Sequence, residues 1–163
     1  MLKKCLFVVS LFLIVGLSSA QNAGSKPLAQ TYQRKVNTQE LQNNNEVYCY
    51  NGKPYTGISI DLFENKTKQQ EINWKDGLLH GLKTEYFPGG RVIRTTMNFY
   101  EGKRNGYFVY YHENTKVKLE GKYLFDQLDS TINCYYETGN LKYVHNYNNG
   151  VRVGESLSYF KNG

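Results

Sequence analysis

The stretch Phe99-Tyr100-Glu101-Gly102-Lys103-Arg104-Asn105-Gly106-Tyr107-Phe108-Val109-Tyr110-Tyr111 decides the fold, because the chain from residue 47 onward reads as imperfect copies of it. Setting Gly102 against Gly77, and Tyr111 against Tyr86 and Tyr136, gives a repeat of about 25 residues, within the range of repeat architectures. Short aromatic or β-branched runs alternate with Asn51-Gly52, Asp76-Gly77, Pro88-Gly89-Gly90, Glu101-Gly102, Thr138-Gly139 and Asn149-Gly150. Such pairs accept positive φ or preset a turn, so the runs between them are strands of successive hairpins. The expectation is an all-β fold: an elongated antiparallel meander of β-hairpin repeats in a single sheet of about ten strands.

Period-two alternation sorts the side chains of each repeat's second strand. Aligned at the 25-residue step, one face carries Ile58, Leu82, Tyr107 and Ile132, then Ile60, Thr84, Val109 and Cys134, then Leu62, Tyr86, Tyr111 and Tyr136. That face is expected to pack. Its opposite carries Ser59, Lys83, Phe108 and Asn133, then Asp61, Glu85, Tyr110 and Tyr135, so it is polar at both ends and aromatic in the middle. Phe108, Tyr110 and Tyr135 therefore become the candidate binding residues, with packing against the polar arm as the alternative role. Trp74, Phe99, Leu124 and Tyr147 recur before the turns and are expected to plug each hairpin against its neighbour.

Ahead of the repeats, Lys3 and Lys4, an apolar run over residues 6–17 and Ser18-Ser19-Ala20 form the pattern of a secretory signal peptide, residues 1–20. The apolar run is shorter than the roughly 20 residues a spanning helix needs. Residues 21–46, rich in Gln, Asn, Ser and Thr, read as a polar linker or flexible arm, with a short helix over 34–41 as the alternative. Residues 47–163 are the repeats. The chain is thus expected to be exported: periplasmic, cell-surface or secreted.

Composition narrows the function. Fifteen Tyr against a single Trp supply rings with one packed end and one wet end, suited to a thin sheet. The formal charge of +6 includes Lys3 and Lys4 and has no dense basic patch, which argues against nucleic acid. His80, His112 and His145 fall at different offsets and lack a second ligand at metal spacing, so no metal and no other cofactor is expected. The acids are scattered, and no nucleophile-base grouping or phosphate loop occurs, so no catalytic residues are assigned. Cys49 and Cys134, about seven strands apart, are separated by roughly 34 Å in an open sheet, too far for a disulfide. Cys134 then reads as a small buried residue beside Val109 and Cys49 as an edge thiol. A transmembrane barrel is disfavoured by a mean hydropathy of −0.60.

The runs Gly102-Lys103-Arg104-Asn105-Gly106 with Tyr110-Tyr111, Gly77-Leu78-Leu79-His80-Gly81 with Tyr86, and Tyr50-Asn51-Gly52-Lys53-Pro54-Tyr55-Thr56-Gly57 resemble MORN repeats, in the variant form grouped as YwqK-like antitoxins. The resemblance covers about residues 47–163. It implies an elongated antiparallel sheet of hairpins and a role in protein association or scaffolding, with lipid-headgroup binding also proposed for such repeats. The expected function is a non-catalytic module that binds an unidentified protein partner, or itself, through its aromatic face and strand edges. The runner-up is a surface module for carbohydrate or lipid headgroups, with contact to a membrane surface.

Overall fold

The computed structural model describes residues 35–162. The expected signal peptide and the first part of the polar arm, residues 21–34, lie outside the described residues. The chain opens with strand β1 (Lys35–Val36), one 3-10 turn (Thr38–Glu40) and a small antiparallel sheet of β2 (Gln42–Asn44), β3 (Val47–Tyr50) and β4 (Lys53–Pro54). The main sheet follows: β5 (Gly57–Leu62), β6 (Lys68–Lys75), β7 (Leu78–Tyr86), β8 (Ile93–Tyr100), β9 (Lys103–Tyr111), β10 (Val117–Leu124), β11 (Gln127–Leu128), β12 (Thr131–Tyr135), β13 (Leu141–Asn148) and β14 (Val151–Ser158). Its order is β1-β5-β6-β7-β8-β9-β10-β12-β13-β14, with β11 attached to β10. Every pairing is antiparallel except β1 with β5, and the sheet is open rather than closed. The described residues are all-β, as the turn-punctuated pattern indicates.

The hairpin turns explain the repeat. Asp76-Gly77, Glu101-Gly102, Phe125-Asp126 and Asn149-Gly150 each place two successive residues at positive φ, between 45° and 81°. Two such residues make the tight turn whose twist matches antiparallel strands. The second residue of each turn then donates its N–H to the preceding hairpin: Gly77 to Tyr55 O, Gly102 to Leu79 O, Asp126 to Arg104 O and Gly150 to Leu128 O, at 2.8 to 2.9 Å. Each turn is therefore satisfied by its neighbour, and repetition carries cohesion along the sheet.

These acceptors lie 24, 25 and 24 residues apart, so the period is not constant. Loop closure at the opposite end agrees: Phe63, Phe87, His112 and Tyr136 donate N–H to Thr67, Val92, Lys116 and Asn140. Tyr136 thus corresponds to His112, and Tyr135 to Tyr111, one residue away from the match that the Tyr-Tyr doublets suggest. Because side chains alternate, a one-residue slip exchanges faces for the whole strand. Ile132 and Cys134 consequently share the face of Phe108 and Tyr110, while Asn133 stands on the other. Tyr123, rather than Leu124, is the equivalent of Trp74, Phe99 and Tyr147.

The packed face is the reverse of the expected one through the centre of the sheet. Ser59, Ile72, Trp74, Thr95, Phe108, Ile132 and Cys134 are buried on one side, Ile132 and Cys134 inside as expected, while Thr84, also expected inside, is buried on the other. Leu82 and Tyr107, expected inside, are 41% and 70% exposed on the other. Phe108 faces Gly121 across the β9–β10 pair, and a Cβ at Gly121 would collide with Ile132 Cδ1 and stand 3.1 Å from Phe108 Cζ. The missing side chain is what lets the ring lie flat in the sheet's packed layer.

Residues 35–46 also depart from the linker expectation. Val36 and Leu41 are buried against Tyr55, Ile72 and Trp74, with Tyr48, Tyr50 and Leu79 around them. Asn37 caps the 3-10 turn by accepting the Gln39 N–H at 2.9 Å, and its own N–H donates to Glu40 Oε1 at 2.7 Å. Thr38 anchors the segment, its N–H donating to Asp61 Oδ1 at 2.9 Å and its hydroxyl pairing with Ser59 Oγ at 2.7 Å. Ser59 accepts the Trp74 Nε1–H at 2.8 Å as well. A polar composition concealed the two apolar residues that pin this segment down. Cys49 is buried on the central strand of the small sheet, between Gln42 and Pro54, instead of forming an edge thiol, and Cys134 stands opposite Leu119 and Tyr143 instead of beside Val109.

Candidate functional site

Beyond the segment of residues 35–50, the packed face is left open as a groove of about 410 Å³ across β9, β10, β12 and β13. Register builds it. Tyr110 opposes Leu119, Leu119 opposes Cys134 and Cys134 opposes Tyr143, while Phe108, Gly121, Ile132 and His145 form the adjoining row. Tyr123 and Tyr147 precede their turns in the next row, and Leu128 and Lys118 complete the lining.

The rings form a continuous surface. Phe108 meets Tyr110 edge-on at 5.8 Å between centroids and Tyr123 at 4.9 Å. Tyr143 and His145 stack at 4.5 Å with planes 21° apart. The Arg104 guanidinium lies 4.3 Å over the Tyr123 ring while its Nε donates to Asp126 Oδ1 at 2.9 Å. Such ring pairs contribute about 0.5–1.5 kcal/mol each beyond area burial, so the surface is held rigid before anything binds.

Its electrostatics favour neutral rings. Burial, then the negative charge that Tyr123 and Glu85 carry when ionised, pushes the Tyr110 phenol above its ordinary range. Burial and the neighbouring Cys134 thiol do the same to Tyr143. Burial first, and the Arg152 charge second, lower the His145 pKa, so its imidazole is neutral near pH 7. The Tyr110, Tyr123 and Tyr147 hydroxyls form no hydrogen bond to the described residues and are available as donors. The lining offers rings, hydroxyl donors and one lysine ammonium.

The three residues singled out in the sequence fare differently. Phe108, expected to face outward, is 2% exposed and belongs to the core. Tyr110 is half-buried and lines the groove. Tyr135 lies on the opposite face, where its hydroxyl donates to Glu120 Oε1 at 2.7 Å, beside Asn133 Nδ2 at 3.3 Å from the same oxygen. That bond to Glu120 is the first cause, with burial and the Glu120 charge behind it, of a phenol pKa pushed up to about 12. The structure thus brings Phe108 and Tyr110 together and separates Tyr135 from both. Tyr123, Tyr143, His145 and Tyr147 are the residues the sequence reading missed as a site. All four lie on the first strands of hairpins, whose shifted spacing hides their alignment.

Among the described residues, no cluster of three or more His, Cys, Asp or Glu is placed to hold a metal ion, and no helix is long and apolar enough to cross a membrane. No family model, curated protein or solved structure matches the chain.

Proposed function

We propose that this chain is an exported, non-catalytic, MORN-like β-repeat protein that associates with another protein in the cell envelope, docking an extended segment of it in the aromatic groove. One observation carries the reading: the same face already holds a segment of this chain, the strand Lys35–Val36 and the 3-10 turn that follows it. At its first repeat, Val36 and Leu41 lie on Ile72 and Trp74, with Thr38 bonded to Ser59 and Asp61. The equivalent positions two and three repeats on hold Tyr110, Tyr123 and His145, half-buried with no segment of the described chain over them. A partner segment laid there would bury rings already ordered, at little entropic cost. The export part of the proposal rests on the leader pattern of residues 1–20.

The test is capture from an envelope extract. Replacing Tyr110, Tyr123 and Tyr147 together by Ser should abolish retention of the partner; the thermal midpoint should fall as the ring contacts to Phe108 and Arg104 are lost, and circular dichroism checks that the sheet is still folded. Undiminished retention by a folded triple variant would refute the docking role.

A second reading, a site for sugar rings or lipid headgroups, has the near-parallel Tyr143–His145 stack in its favour, since a flat ring pair offers a face to a pyranose or a quaternary ammonium group. Liposome and polysaccharide pull-downs beside the protein bait separate the two: retention on either matrix, lost in the triple variant, would select this reading.

A further inference from the structure

We infer that the segment docked in the groove is acidic, with aromatic or branched apolar side chains between its carboxylates. The inference rests on the docking reading above and adds the chemistry of the partner.

It follows from which charges around the groove are already neutralised. Two carboxylates stand beside its rings on the packed face, and both are engaged; Glu113 and Glu137 share with Lys118 a separate hollow beyond the end of the groove and are in no ion pair among the described residues. Glu85 is held by Lys83 Nζ and Arg94 at 2.9 Å each, and Asp126 is held by Arg104. Glu120, on β10 between Leu119 and Gly121, points to the other face and accepts from Tyr135 and Asn133. The cations are not so balanced. Lys118 lines the groove and Arg152 stands opposite Tyr147 in register, close enough for its charge to act on His145, and neither has an ion pair among the described residues. The Lys83–Glu85–Arg94 group keeps one further positive charge at the upstream end.

Hydrogen bonding points the same way. The Tyr110, Tyr123 and Tyr147 hydroxyls, together with Lys118 Nζ, offer donors along the groove, and no carboxylate lines it to offer a charged acceptor. An occupant rich in acceptors and negative charge satisfies both features, while its apolar side chains meet Phe108, Leu119, Leu128 and Ile132 beneath the rings. A basic segment would meet Lys118 and Arg152 as like charges, with Glu85 and Asp126 already occupied.

The experiment is selection of displayed random peptides of about twelve residues, roughly 40 Å when extended, on the purified chain. A parallel selection uses the variant Lys118→Glu with Arg152→Glu, and a third uses the Tyr110, Tyr123 and Tyr147 to Ser variant. The expected result is recovery of peptides enriched in Asp and Glu on the parent, with the bias turning to Lys and Arg on the charge-reversed variant. A synthetic acidic peptide from that selection should lose roughly tenfold in affinity on the charge-reversed chain, the effect of about 1.4 kcal/mol, and should weaken as salt rises. Peptides recovered on the parent but not on the triple Ser variant, with no acidic bias, would overturn this inference and leave the docking reading standing. Recovery indifferent to all three Ser substitutions would overturn both.

Discussion

The Phe108 ring occupies the space that Gly121 leaves open on the adjacent strand, and this pair fixes which face of the sheet is inside. Everything about the groove depends on it, because the same strand carries Tyr110 two residues on. Gly121→Ala should therefore overpack the site at a cost of about 1–3 kcal/mol, and Phe108→Ala should cost about 3–5 kcal/mol by leaving a cavity. Urea denaturation of both variants checks this. If Phe108 were the exposed binding residue that its position in the repeat suggests, its removal would leave the midpoint unchanged.

Ser59 joins the first repeat to the segment that covers it, accepting from Trp74 and pairing with Thr38 while fully buried. Ser59→Ala leaves the Trp74 indole N–H without its partner, a loss of about 1–3 kcal/mol. Removing residues 35–41 should expose Trp74, the only tryptophan of the chain. Its fluorescence maximum is expected to move to longer wavelength, with secondary structure of the later repeats retained in circular dichroism.

Much of this architecture was legible from residues alone, and the failures share one cause. Glycine and asparagine at the turns announced hairpins, and alternation announced strands. The register could not be read because Tyr110-Tyr111 and Tyr135-Tyr136 are both doublets, and the turn that would have broken the tie carries Asp126 where other copies have glycine. One slipped residue turned Tyr135 into a groove residue and hid Tyr123. The covering segment was missed for a different reason: two apolar residues in a polar stretch leave no periodicity, and only a tertiary contact reveals that Val36 and Leu41 belong to the core.

Acid should act on two carboxylates. Asp126 is held below the usual carboxylate range by its hydrogen bonds from Arg104, and Glu85 is lowered because the bonds from Lys83 and Arg94 outweigh the burial that raises it. A carboxylate whose folded pKa is depressed contributes stability that is present above its unfolded pKa and lost as pH falls through the folded value. Stability should decline as pH drops below about 4. Asp126→Asn and Glu85→Gln should each flatten that decline while lowering stability at neutral pH, as denaturation at a series of pH values would show. Both pairs are partly solvated, so each step is small.

Tyr135 tests the separation of the two faces. Tyr135→Phe removes the bond to Glu120 at a cost of about 0.5–1.5 kcal/mol, and it should leave binding in the groove unaltered. In the parent, titration followed by phenolate absorbance should show a phenol ionising only near pH 12 that is absent from the variant.

The central claim is that partners meet the packed face beyond its covered end, not the reverse side. A photoreactive phenylalanine derivative placed at position 123 in one strain and at position 107 in another, then irradiated in living cells, tests it most directly. The account predicts a discrete protein adduct from position 123 and none from position 107. An adduct from position 107 alone would contradict it.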